Sequence, residues 1–259
     1  MTTGGPLTDI GVLVTRPVEQ AARLMARLQE LGASPFLFPA LAILPAAQPS
    51  VLHTVLARAD QYDHHLFVSP TAVQFGFAAM PPAGVKTLCA AATVAAVGKG
   101  TAAALRAAGC QNVIAPDAGA DSEHLLALPE FAQLTGQRVL IFRGEGGREL
   151  IADTLRARGA EVDYAECYRR ACPQADPTPL RLALAQQRIQ AITAFSSETL
   201  DNLLALLAPD GQCDARVLPV FVPHARIAQH ARSLNFTQVF ATGPGEDGLL
   251  NGLVEYFRP

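Results

Sequence analysis

The sequence predicts an α/β fold with parallel sheets, and three observations carry that prediction. Apolar runs of strand length are each followed by a segment of helical period, the pattern of crossover-linked parallel strands. The pattern recurs once along the chain at an offset of 127 residues, with Leu13 falling on Leu140. Proline-rich joints occupy matching places in the two copies, Phe38 to Pro49 and Cys167 to Pro179.

The first copy opens at Leu13 with LVTRPVEQAARLMARLQELGASPFLFP: a strand, Arg16, a helical segment, Gly32 and a second strand. After the first joint, LFVSPTAV sets a strand before Ser69. VAAVGKGTAAALRAAG then sets another before Gly98-Lys99-Gly100-Thr101, with a helix behind it. In the second copy Val139 to Phe142 read as a buried strand feeding a glycine-rich turn. A helix follows with Ile151 and Leu155 on one face, and Gly159 stands where a helix usually stops. AFSSETL places Ser196 on the position of Ser69, and VFVPHARIAQHARSLN falls roughly on the VAAVGKGT segment. Each copy reads β-α-β-β-α-β-α. The two joints are expected to run side by side as a double linker.

With 259 residues, half of them hydrophobic and 17% charged, the chain is globular and long enough for two modest domains. Twenty basic residues against 23 acidic ones leave a net charge of -3. No basic run or basic-aromatic interleaving exists, so nucleic acid is not an expected partner. The five cysteines form no CxxC pair, and their scatter suits reduced, mostly buried thiols of a cytosolic protein. The six histidines lack metal-ligand spacing, and His64-His65 reads as a surface pair ahead of a strand. MTTGGPLTDI shows no signal peptide. Leu66 to Val85 is uncharged but broken by Pro70, Pro81 and Pro82, so no membrane span is expected and the location predicted is the cytoplasm.

A strand that feeds a glycine loop at a helix N-terminus is an anion cradle, because free backbone N–H groups and the helix dipole converge there. The loop after Phe142 fits no nucleotide fingerprint: Glu149 stands where a dinucleotide motif needs its third glycine, and no Gly-Lys-Ser/Thr follows. An ordinary tight turn through Gly144, Gly146 and Gly147 is the alternative. Other expected strand ends carry Thr15-Arg16, Ser69, Gly98 to Thr101 and Ser196-Ser197. Each has a structural reading too, since Ser and Thr cap helices and Arg16 has Glu19 within reach. Recurrence of these groups in both copies favours a ligand with many negative groups. Among them there is no Ser-His-Asp order, no paired catalytic carboxylates and no metal cluster.

TRP near the N-terminus, FVSPTAV, AAVGKGTAAAL, DSEHLLALPEF, LIFRGEGGRELIADTLRARGAEVDYAECYRR and FSSETLDNL occur in one order along the chain. Together they resemble the uroporphyrinogen-III synthase family over nearly the whole length, with RGEGGRE and YRR the most specific segments. Late segments depart from the pattern: VPHARIAQHA lacks the glycine and threonine of AVGKGT, and ATGPGEDGLL lacks a proline-threonine pair.

The resemblance implies two flavodoxin-like lobes with parallel sheets joined by a two-stranded linker. It puts residues 1–38 with 176–259 in one lobe and 47–165 in the other, with linker strands at 39–46 and 166–175. The implied substrate is hydroxymethylbilane, a linear tetrapyrrole octacarboxylate, closed to uroporphyrinogen III with loss of water and inversion of ring D through a spiro intermediate. No cofactor is implied. The expected substrate-binding set is Thr15, Arg16, Ser69, Gly98, Lys99, Thr101, Ser122, Arg143, Gly144, Gly146, Gly147, Arg148, Ser196 and Ser197. Tyr168 matches the family tyrosine proposed as general acid, with an aromatic held only by its hydrogen-bonded hydroxyl as the alternative. A monomer is expected, meeting the enzyme that makes hydroxymethylbilane in a transient contact. Two other classes remain open on the residues alone: a two-lobed solute-binding module and a nucleotide-dependent enzyme.

Overall fold

The computed structural model describes residues 5–91, 93–117, 119, 121–147, 149–208 and 214–258. The chain divides into two compact units, Met1–Ala42 with Ala171–Pro259 (the terminal unit) and Ile43–Arg170 (the central unit). Eleven strands are described: β1 Gly11–Val14, β2 Ser34–Leu37, β3 Ala42–Pro45, β4 His64–Phe67, β5 Thr93–Ala96, β6 Val113–Ile114, β7 Arg138–Gly144, β8 Glu161–Ala171, β9 Ala191–Thr193, β10 Val220–Val222 and β11 Val239–Ala241. The described α-helices are α1 Val18–Glu30, α2 Pro49–Leu56, α3 Pro70–Ala78, α4 Pro82–Ala91, α5 Lys99–Ala107, α6 Ser122–Leu126, α7 Leu150–Ala157, α8 Thr178–Ala185, α9 Ser197–Leu207, α10 Ala225–Ser233 and α11 Gly245–Phe257.

The terminal-unit sheet has the order β11-β10-β9-β1-β2, and the central-unit sheet β3-β8-β7-β4-β5-β6. The offset of 127 maps β1 onto β7, β2 onto β8, β4 onto β9, β5 onto β10 and β6 onto β11. Each sheet therefore joins the β-α-β opening of one copy to the three later strands of the other. The terminal-unit sheet, numbered along its own strands, runs 2-1-3-4-5, the flavodoxin-like order, and the counterpart strands β8-β7-β4-β5-β6 of the central sheet repeat it with β3 added at the edge. The short strands β6 and β11 extend the pattern read from the sequence by one strand per copy.

Parallel pairing explains the composition of the central strands. β4 pairs in parallel with β5 on one side and β7 on the other. Helices cover both faces of such a sheet, so a strand in its middle has no solvent side. Leu66, Phe67, Leu140 and Phe142 are buried, and Phe67 stacks on Phe142 with centroids 4.1 Å apart. That pairing adds about 0.5–1.5 kcal/mol beyond the area it buries. Gly76 of α3 lets the helix lie against this layer, since a Cβ there would stand 2.8 Å from the Phe142 ring.

The same constraint corrects two expectations. His64 and His65 are not a surface pair: both lie in β4 and are buried, at 8% and 1% exposure. Each donates through Nε2, His64 to Gln137 Oε1 at 2.6 Å and His65 to the Ala59 carbonyl at 2.8 Å. The cysteines are not all thiols either. Cys89 in α4 is bridged to Cys110 just beyond α5, Cys167 is buried and Cys172 is exposed. Distance along the chain hid that pair, because Cys89 and Cys110 stand 21 residues apart in sequence and meet only in the folded unit. Cys213 lies outside the described residues. Among the described residues no helix is long and apolar enough to cross a membrane.

Candidate functional site

In a 2-1-3-4-5 sheet a crevice opens beyond the carboxyl ends of the strands where their order reverses. In the central unit that point lies between β7 and β4; in the terminal unit it lies between β1 and β9.

In the central unit β4 leads to Ser69, the N-cap of α3, whose Oγ accepts from the Ala72 amide at 3.1 Å. Pro70 follows as the first helical residue and brings no amide that needs a partner. The same Oγ lies 3.3 Å from the Tyr168 hydroxyl. Tyr168 reaches it from β8 because the β7–β8 ladder slips one place. Arg143 faces Glu166 while Gly144 faces Tyr168, and Cys167 is the extra residue of a bulge. Bulges of this kind re-aim a side chain beside an active site. The tyrosine ring packs on Phe75 of α3 and over Gly144, and only 3% of the residue is exposed. Cys167 points into the core, where burial pushes its thiol up to about 12.

The glycine-rich loop is organised by Arg143. That side chain is 7% exposed and donates from Nε to the Gly144 carbonyl, from one Nη to the Gly147 carbonyl at 3.1 Å, and from the other to Glu149 Oε1 at 2.9 Å. Its guanidinium also lies 4.2 Å over the Tyr164 ring. Gly146 adopts φ 68°, where a glycine is favoured, and Gly147 packs beside the guanidinium. Glu149, at the head of α7, accepts from both Arg143 and the Tyr164 hydroxyl, which holds its carboxyl below the usual range. The expected cradle thus already holds an anion of the protein, and Arg143 serves the loop rather than standing open to a ligand. Arg148 lies outside the described residues.

The neighbouring helix offers what that loop does not. Gly98 ends the β5 connection as the N-cap of α5, and no side chain caps that helix. Its first-turn amides, at Lys99, Gly100 and Thr101, are the ones a helix leaves free. Lys99 is exposed and forms no ion pair among the described residues. A cation in the first turn opposes the helix dipole by about 0.3–1 kcal/mol unless an anion sits there. Thr101 is buried on the core side of α5, and Ser122 is the first residue of α6 behind the N-cap Asp121.

In the terminal unit, Thr15 is fully buried and donates to the Thr193 carbonyl at 2.6 Å, while Thr193 donates to Leu13, so Thr15 ties β1 to β9. Arg16 pairs with Glu246 of α11 at 2.7 Å, not with Glu19, and lies 4.4 Å over the Phe195 ring. Burial lowers the Arg16 pKa while Glu246 opposes that shift. Ser196 repeats the part of Ser69: it caps α9 by accepting from the Thr199 amide at 3.2 Å. Ser197 follows it, half-buried. Sequence reading missed Glu149 and Glu246 as partners of the two repeated arginines. A carboxylate in a first helical turn was the available signal.

The family model described as uroporphyrinogen-III synthase HemD matches residues 22–251. The chain belongs to the uroporphyrinogen-III synthase family. It is 33% identical to the Escherichia coli K12 uroporphyrinogen-III synthase over 247 residues, which are 94% of this chain and 100% of that protein. The Salmonella typhimurium enzyme is 32% identical over the same shares. A Thermus thermophilus uroporphyrinogen III synthase structure superposes with a TM-score of 0.60 at 21% identity, covering 95% of this chain and 98% of that one. The Helicobacter pylori uroporphyrinogen-III synthetase structure gives 0.57 at 10% identity, covering 95% and 99%. These two establish the shared fold. The chain is thereby an enzyme of the family that serves porphyrin biosynthesis, with a Ser69–Tyr168 hydroxyl pair at its central-unit switch point.

Proposed function

We propose that this protein closes hydroxymethylbilane to uroporphyrinogen III, with loss of water and inversion of ring D through a spiro intermediate. The observation that carries the reading is the Tyr168 hydroxyl, held 3.3 Å from Ser69 Oγ at the N-terminus of α3. Loss of the ring-A hydroxyl needs a proton at the leaving oxygen, and a phenol can donate one. The departing water leaves a resonance-stabilised azafulvenium cation, so the chemistry asks little more of the protein. The substituted carbon of ring D then attacks, and the spiro intermediate reopens and closes to the inverted isomer. Holding the bilane so that this carbon is the nearer one is the larger task.

Carboxylates of the bilane are placed first at α5, where free first-turn amides and Lys99 converge, and next at the Gly146-Gly147 amides. Arg143 and Thr15 are reassigned to holding the backbone. The enzyme is read as a cytoplasmic monomer that takes its substrate in a brief encounter with the enzyme that forms it.

Incubation with freshly generated hydroxymethylbilane, followed by oxidation and chromatographic separation of the porphyrin isomers, tests the reading. The type III isomer should dominate and form faster than spontaneous closure. Type I alone, at the spontaneous rate, would overturn it.

A further inference from the structure

Glu145 closes the end of the β7–β8 ladder that carries Tyr168. Its amide donates to the Tyr168 carbonyl at 2.8 Å, one step beyond the Gly144–Tyr168 pair. Its side chain is tied elsewhere: Oε1 accepts from the Ala47 amide at 2.6 Å, just past β3. β3 and β7 are the two neighbours of β8 in the central sheet. Glu145 thus follows β7, holds β8 through its backbone and reaches the chain beyond β3 through its carboxylate.

Charge gives that carboxylate no place in substrate binding. Glu145 and Glu166 line one recess of about 310 Å³ with Tyr164 and Gln48. Glu166 has Arg143 at 3.6 Å, whereas no cation pairs with Glu145 among the described residues. Gly146 and Gly147, the next two residues, offer amides to a substrate carboxylate in the proposed reaction. A carboxylate beside them repels that ligand. Position is what Glu145 can supply instead. Gly144 lies so close to the Tyr168 ring that a Cβ on it would stand 2.7 Å away, so the ring follows any shift of Gly144. The left-handed turn at Gly146 is separated from Gly144 by Glu145 alone, and Glu145 is fixed on both sides.

We propose that Glu145 is a positioning residue for the reaction: its carboxylate, held by the Ala47 amide, keeps Gly144 and the end of β8 in place, so that the Tyr168 hydroxyl stays beside Ser69 at the N-terminus of α3. The assignment rests on the proposed ring closure and gives Glu145 no contact with the substrate. A displacement of about 1 Å at a reacting group is enough to slow a reaction markedly, and this one bond separates the loop from the tyrosine.

Glu145→Ala should lower kcat about three- to tenfold, and no further than Tyr168→Phe does, since it acts through that hydroxyl. Glu145→Gln keeps an oxygen that can accept from Ala47 and should restore most of the loss. Neither variant should raise KM, because both remove a repelling charge. In the Tyr168→Phe background, Glu145→Ala should slow turnover no further. The ring-carbon signals of isotope-labelled Tyr168 should shift in Glu145→Ala and return in Glu145→Gln, a readout that needs no substrate. Unmoved ring signals overturn the proposal, as does an unchanged kcat in Glu145→Ala. Losses that multiply in the double variant overturn it too, as does a Gln variant as slow as the Ala variant. A raised KM with kcat kept would make Glu145 a substrate contact and overturn it as well. Type I product alone from the unaltered chain would overturn the ring-closure reading instead, and the ring signals would still decide whether Glu145 positions Tyr168.

Discussion

Gly144 and Tyr168 face each other across the β7–β8 bulge so closely that a Cβ on Gly144 would stand 2.7 Å from two carbons of the tyrosine ring. The glycine is therefore required by the tyrosine, not by backbone dihedral angles. Gly144→Ala should push the ring off Phe75 and break the 3.3 Å approach to Ser69. Overpacking of this kind costs about 1–3 kcal/mol, readable as a lower urea midpoint, and turnover should fall with it. Gly146→Ala is the control. Its site is open but its φ is 68°, so it should lose stability while leaving the Tyr168 contact and kcat intact. Equal turnover losses in both variants would mean that the tyrosine contact is not what matters.

Tyr168→Phe removes one oxygen and keeps the ring that packs on Phe75 and Gly144. General-acid assistance is worth ~10²–10⁴-fold. The ring-A hydroxyl leaves readily from its pyrrole-activated carbon, so the loss in kcat should fall at or below the lower end of that range. Isomer analysis should still find mainly the type III product, because selection rests on how the bilane is held. Unchanged kcat would remove the acid role, and loss of isomer selectivity without loss of rate would make Tyr168 a positioning residue.

Lys99 and Arg143 should separate cleanly in kinetics and stability. Lys99→Ala takes away an exposed cation with no partner among the described residues, so KM should rise several-fold with the melting temperature unchanged. Arg143→Lys loses the planar fork that reaches Gly144, Gly147 and Glu149 together. Hydrogen bonds to charged groups are worth about 1.5–3 kcal/mol each, so calorimetry should show a clearly lower melting temperature. The reverse pattern would mean that Arg143 meets the substrate and Lys99 does not.

The cysteines should react unequally. Burial holds the Cys167 thiol at about 12, so at pH 8 almost none of it is thiolate, and the nucleophilic form grows only as pH rises. Iodoacetamide on the folded protein should label exposed Cys172 and spare Cys167, as peptide mass mapping would show. Unfolded without reductant, the chain should titrate three thiols of its five cysteines, because Cys89 and Cys110 are joined. Five thiols would mean that the pair is reduced in the purified protein.

Much of the site was legible because strand ends have a local signature. Ser69 and Ser196 stand at strand ends where the sequence predicts substrate binding, with helix capping as the alternative, and both do cap helices. The two repeated arginines were visible, but not their partners: Glu246 lies 230 positions from Arg16, and no local rule connects them. Among the described candidate cations the open charge is Lys99, while Arg143 and Thr15 are engaged with backbone carbonyls. Exposure was what the sequence hid.

Alternation of apolar runs with helical period determined the α/β class, and the offset of 127 determined that every described strand but β3 has a counterpart. Both are properties of short stretches, where side-chain spacing along one element decides which face is apolar. Which copy a strand pairs with was decided only in three dimensions, since β1 joins β9 and β7 joins β4, each pair taking one strand from either copy. The same holds for His64 and His65, whose local sequence reads as polar surface but whose strand lies in mid-sheet. It holds too for Gly144 and Tyr168, brought face to face by one extra residue in β8. A bulge changes the direction of a side chain without leaving a period in the sequence, so the tertiary ladder alone decides where that tyrosine points.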